Sequence, residues 1–168
     1  MLPMPQKRAT RTSSWHDDAD VLVLSISLAS RIPAKLFQVL KGRGYSQIVD
    51  VSKLSENLSS LCTPLIGIHS FTECDSVSAF TGKGKIHVSA LKLAAGSKEW
   101  QETFALLGED WSSKEELATK LEAFTCAWYG AKKSTSINEV RYNLFCAKKG
   151  NVESHQLPPC KATLQKHI

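Results

Sequence analysis

A chain of 168 residues with 42% apolar and 22% charged residues has room for one domain with a hydrophobic core, and no apolar run approaches the roughly 20 residues a membrane helix needs. The excess of 21 Lys and Arg over 16 Asp and Glu, a net charge of +5, favours polyanionic partners. Cys62, Cys74, Cys126, Cys146 and Cys160 are odd in number, widely spaced and never arranged as Cys-x-x-Cys; the pattern suggests neither a disulfide framework nor a zinc knuckle and fits a reducing, intracellular setting, nuclear or cytoplasmic.

Residues 1–17 hold basic and hydroxyl residues and two prolines with no apolar periodicity. They read as a disordered segment without the apolar stretch of a secretory signal. The run "DVLVLSISLAS" fits a buried strand or a buried helix capped by Asp18 or Asp20, with the helix preferred. "KLFQVLKG" and "YSQIVDV" flank Gly42-Arg43-Gly44 and read as a hairpin. In "DVSKLSENLSSLC", Val51, Leu54, Leu58 and Leu61 recur at three or four residues behind a cap at Asp50 or Ser52, an amphipathic helix. Pro64 suits the opening of another helix.

The second half repeats one grammar. "HVSALKLAAG" stops at Gly96, and "SKEWQETFALLG" runs from a Ser97 cap to Gly108. "SSKEELATKLEAFTCAWYG" has Ser113 three before Glu116 and ends at Gly130. "SINEVRYNLFCAKKG" has Ser136 three before Glu139 and ends at Gly150; both are capping-box patterns closed by glycine. Residues 151–168, with Pro158-Pro159, read as an extended or weakly ordered tail that becomes helical late. Strand signals thus crowd the first third and helices fill the rest, an α/β arrangement.

Asp18 and Asp20 lie two apart, on one face of a strand or in the first turn of a helix. Hard divalent ions take oxygen ligands and keep several waters, so carboxylates from separate segments suffice to hold Mg²⁺ or Mn²⁺. Asp75 supplies a third carboxylate. Gly82, Lys83, Gly84 and Lys85 follow it closely, where glycines admit a phosphate to the backbone and lysines add countercharge. The stretch lacks the full pattern of a P-loop.

Taken together, "DDADVLVLSISLA" and "IHSFTECDSVSAFTGKGK" resemble part of the PIN-like, flap-endonuclease-related nuclease superfamily. More closely, the chain is similar to a group of uncharacterised multicopy animal proteins with a pattern near "HAFTGCDSxSAFxGKGK" and a later "NExRYxLFC…LPP". The resemblance implies an α/β fold, a partial PIN-like domain over residues 18–150 with a few strands followed by a mainly helical array. It implies a metal-dependent nuclease-like function on phosphodiester bonds, with Asp18, Asp20 and Asp75 as catalytic Mg²⁺ or Mn²⁺ ligands. Gly82, Lys83, Gly84 and Lys85 would be the turn that binds nucleic acid. With 17 residues before Asp18, it also implies a truncated member; Glu73 stands where the group has glycine. The alternatives are a non-catalytic nucleic-acid or protein-binding module and a gene fragment without function.

Other residues have simpler expectations. His69 and Cys74 read as packed core residues, and Trp100, Trp111, Trp128 and Tyr129 as core or helix-interface aromatics rather than base-stacking surfaces. Lys132, Lys133, Lys148 and Lys149 sit at helix ends, where cations complement the macrodipole. If those ends converged they would extend a phosphate-binding surface. Glu139 and Arg141 could link helices.

Overall fold

The computed structural model describes residues 19–42, 44–73, 80, 87–107 and 115–168. These fall into two compact units, one running to Ile66 and the other starting at Gly67. Among the described residues the fold is mixed α/β and mostly helical, with one two-stranded antiparallel sheet.

In the first unit, α1 (Ala19–Leu28) is the helix expected from the apolar run, and a 3₁₀ turn, Ala29–Arg31, follows it. Its apolar side chains surround the axis, which is why periodicity alone did not separate helix from strand. Strands β1 (Phe37–Gly42) and β2 (Tyr45–Asp50) form the expected hairpin, in register from Phe37↔Asp50 to Gly42↔Tyr45. A lone two-stranded ribbon is marginal in water, and here α2 (Val51–Leu58) ties it down. Asp50 caps α2 by accepting from the Lys53 amide at 2.9 Å. The other predicted cap, Ser52, instead accepts from the Leu36 amide at 2.9 Å, while the Leu36 carbonyl accepts from the Val51 amide at 3.0 Å. The residue before β1 is thereby clamped to the first turn of α2, and Val51 is fully buried.

The division falls inside α3 (Leu65–Glu73). The second unit continues with α4 (His87–Ala95), α5 (Lys98–Ala105), α6 (Glu115–Trp128), α7 (Ile137–Ala147) and α8 (Lys161–His167). Its core gathers Ile68, Phe71, Phe80, Phe104, Leu121, Phe124 and Trp128 around Ala90 and Ala94. The two alanines lie one turn apart on α4, and their small side chains leave room for the rings. Ring centroids stand 4.7 Å apart for Phe104 and Phe124 and 5.2 Å for Phe80 and Trp128, in the edge-to-face geometry aromatic pairs prefer.

The predicted caps Ser97 and Ser136 accept from the amides of Trp100 and Glu139. The return half of the second capping box runs through an intermediary. Glu139 accepts from the Ser134 hydroxyl at 3.2 Å, and that oxygen accepts from the Ser136 amide at 3.3 Å.

Residues 151–168 make a 3₁₀ turn at Ser154–Gln156, run extended through Leu157, and end in α8, with Leu157 and Leu164 both buried. Their anchor is Glu122 on α6, which is 5% exposed. One of its carboxylate oxygens accepts from the Ile137 amide at the start of α7 at 3.0 Å, and the other pairs with Lys161 Nζ at 3.0 Å. The Asn138 side chain accepts from the Lys161 amide at 2.9 Å, fastening the first turn of α8. Glu122→Ala leaves the buried Ile137 amide without this acceptor and releases α8. A loss of about 2 kcal/mol follows from a charge-assisted bond whose lysine partner is half exposed. Urea denaturation should show it as a lowered midpoint, with Glu122→Gln losing less. Equal stability of Glu122→Ala and the parent would refute the anchor.

Candidate nucleic-acid interface

Of the residues predicted to form the site, Asp20 has a defined position. It lies in the first turn of α1, partly buried, where amino-terminal peptide dipoles complement a carboxylate. Asp18, Asp75, Gly82, Lys83, Gly84 and Lys85 lie outside the described residues, as do Cys74 and Trp111. Among the described residues no group of three or more His, Cys, Asp or Glu side chains is arranged to hold a metal ion. Glu73 is the last residue of α3, where helical backbone accepts any L residue.

Of the aromatic residues singled out from sequence, Trp100, Trp128 and Tyr129 are described and pack as expected. Trp128 is buried, and its indole N–H donates to the Ser89 hydroxyl at 2.9 Å. Trp100 meets Phe124 edge-on at 5.4 Å. Tyr129 is desolvated enough to push its hydroxyl up to about 12. Cys126 is fully buried, and that burial, helped by the charge of Glu122, pushes its thiol up to about 11. It is therefore a neutral packing residue and not a nucleophile. Cys160 is the opposite case: the Thr163 hydroxyl, 3.2 Å from its sulfur, and nearby amides hold its thiol below the usual range.

The exposed aromatics lie elsewhere. Tyr142 is 66% exposed and Phe145 43% exposed, one turn apart on α7. They were not singled out from the sequence, although their spacing carried a signal. Ile137 and Val140 are buried and Leu144 packs against the core, so α7 has an inner apolar stripe without them and their rings are surplus to it. Arg141 does not link helices through Glu139. Its guanidinium donates to the Pro158 carbonyl and, at 2.7 Å, to the Ser154 hydroxyl. That holds the chain after α7 alongside the helix and leaves a groove of about 570 Å³ bordered by Tyr142, Phe145, Val152 and Leu157.

At the end of α7 the backbone turns sharply. Gly150 has φ of 73°, a left-handed conformation suited to glycine, and its amide donates to the Phe145 carbonyl at 3.1 Å. A Cβ there would touch the tip of the Phe145 ring at 3.4 Å, so the turn rests on that ring. Lys148 and Lys149 are exposed in the same turn. A side-chain hydrogen bond with Cys146, one turn on, holds the Tyr142 hydroxyl above its ordinary pKa. The groove thus combines two accessible rings, an apolar wall and the Arg141 guanidinium, and two exposed lysines follow at the end of α7.

A second concavity, of about 550 Å³ in the first unit, is bordered by Ser27, Ser30, Ser52 and Ser59 with Lys35 and Glu56. Its charges oppose one another, and it concentrates no single chemistry. No helix among the described residues is long and apolar enough to cross a membrane. Comparison with protein-family models, curated proteins and solved structures found no match.

Proposed function

We propose that this chain is a divergent, metal-dependent nuclease-like domain, PIN-like in ancestry, that acts on nucleic-acid phosphodiester bonds. One arrangement in the sequence carries the reading: carboxylates from two segments, Asp18 with Asp20 and then Asp75, the last followed closely by Gly82-Lys83-Gly84-Lys85. The donor set fits the cation, since three carboxylates suit Mg²⁺ or Mn²⁺ and leave positions for water. Such an ion, when bound, activates water and neutralises charge developing on the phosphodiester. Lys83 and Lys85 hold the strand by countercharge while the glycines let the backbone approach it. The net positive charge supports a polyanionic substrate.

The test is cleavage of branched and single-stranded DNA in Mn²⁺. The parent chain should cut; chelation and Asp75→Ala should each abolish cutting, with folding intact by circular dichroism. If parent and Asp75→Ala bind DNA with the same salt sensitivity and neither cuts in either metal, the chain is a non-catalytic binding module.

A further inference from the structure

We propose that the groove between α7 and the segment returning through Val152 and Leu157 is a binding site for single-stranded nucleic acid, with bases stacking on Tyr142 and Phe145 and phosphates meeting Lys148 and Lys149. The inference takes from the reading above only the class of polymer. The site itself stands on the geometry of the second unit.

Two features point to bases as the occupant. The rings sit at i and i+3 of a helix whose inner apolar stripe is already filled, so they present accessible aromatic surface that core packing does not require. Aromatic rings accept any base by its π face. Phe145 is also steadied, because the Gly150 turn closes onto the ring tip and the Gly150 amide is bonded to the Phe145 carbonyl.

Charge complementarity supplies the second argument. Lys148 and Lys149 are exposed at the end of α7, and Arg141 borders the groove itself. These three cations outnumber the two carboxylates of α7 and the returning segment, Glu139 and Glu153. A polyanion therefore suits this face better than a cation. Asn138 and Ser154 add hydrogen-bonding groups at the border where base edges would lie. An amphipathic peptide helix would instead want an unbroken apolar floor, and Arg141 with Ser154 interrupts this one. Unpaired strands are selected over duplex because the bases of a duplex are already stacked on one another.

The experiment measures binding of a fluorescent oligothymidylate by anisotropy, with chelator present so that no cleavage intervenes. An abasic oligomer and a duplex of equal length serve as comparisons. The parent should prefer oligothymidylate to both. Tyr142→Ala should weaken binding by roughly five- to a hundred-fold, the range for removal of one stacking ring, while Tyr142→Phe should retain it. Phe145→Leu, which keeps an apolar side chain under the Gly150 turn, should weaken it similarly with an unchanged melting temperature. Lys148→Ala and Lys149→Ala should each flatten the dependence of log affinity on log salt by about 0.7. Equal affinity for the abasic oligomer, or oligothymidylate binding unchanged in Tyr142→Ala, overturns the proposal. So does displacement of a groove-bound probe by an acidic amphipathic peptide with no oligomer binding, which would assign the groove to a protein partner.

The two readings fail separately. A chain that binds through Tyr142 yet never cuts keeps the groove and loses the nuclease. A chain that cuts in Mn²⁺ while Tyr142→Ala binds and cuts normally keeps the nuclease and loses the groove.

Discussion

Gly67→Ala is expected to destabilise the second unit by about 3 kcal/mol, the upper part of the range for overpacking a filled site. At Gly67, helix α3 passes against the end of α5. A Cβ built there would overlap the Phe104 carbonyl oxygen, approach the Phe104 carbonyl carbon to 3.1 Å and stand 3.4 Å from Leu107 Cβ. The obstruction is backbone, so no rotamer change relieves it; α3 or the last turn of α5 must move. Phe104 is 1% exposed and its ring stands 5.7 Å from that of Phe71 on α3, so moving either helix disturbs the same aromatic contact. Glycine inside a helix ordinarily costs up to about 1 kcal/mol relative to alanine, and the alanine variant should recover that amount in propensity. The sign of the measured change therefore decides which effect wins. Thermal melting followed at 222 nm should show a midpoint lowered by roughly 10 °C or more. A variant as stable as the parent, or more so, would show that the two helices do not approach as described.

The parts of the fold legible from sequence were those decided within a few residues. Asp50, Ser97 and Ser136 were readable as caps because the amide each one accepts from lies three positions ahead. The hairpin was readable because a glycine-rich break separated two β-rich runs. Where the deciding partner lies further along the chain, the sequence was silent. Glu122 looks like a solvated helix carboxylate until the α7 amide and Lys161, fifteen and more residues away, close over it. For the same reason the last eighteen residues read as a loose tail, whereas Arg141, Asn138 and Glu122 fasten them.

The candidate sites divide along a similar line. The aromatic residues that drew attention in the sequence were mostly tryptophans, and Trp128 and Trp100 pack within the core because they are the largest apolar groups available to fill it. Tyr142 and Phe145 were overlooked because their spacing puts them on one face of α7 without saying which face meets the core. That depended on Ile137, Val140 and Leu144 claiming the inner stripe. Of the carboxylates and the Gly-Lys-Gly-Lys turn, Asp20 alone lies among the described residues, so the proposed metal cluster rests on sequence pattern and is answered by cleavage chemistry.

Phe124→Ala is expected to have the largest effect on stability, a loss of about 3 to 5 kcal/mol. Phe124 on α6 is fully buried, and four rings surround it: Phe104 at 4.7 Å, Trp100 at 5.4 Å, and Phe71 and Trp128 each at 6.3 Å between centroids. These neighbours come from α3, α5 and α6, so the ring is the common contact through which helices distant in sequence share one core. Truncation removes the transfer free energy of the ring and leaves a cavity whose walls are themselves rings anchored on separate helices, which limits collapse. Edge-to-face contacts worth roughly 0.5 to 1.5 kcal/mol each beyond burial are lost with it, though they are not additive. A domain holds only about 5 to 15 kcal/mol in total, so the variant should unfold at markedly lower urea with a similar slope. Phe124→Leu, which refills part of the volume, should recover about half of the loss. Near-parent stability of Phe124→Ala would mean the surrounding rings can close the gap, and the rigidity attributed to this aromatic cluster would have to be abandoned.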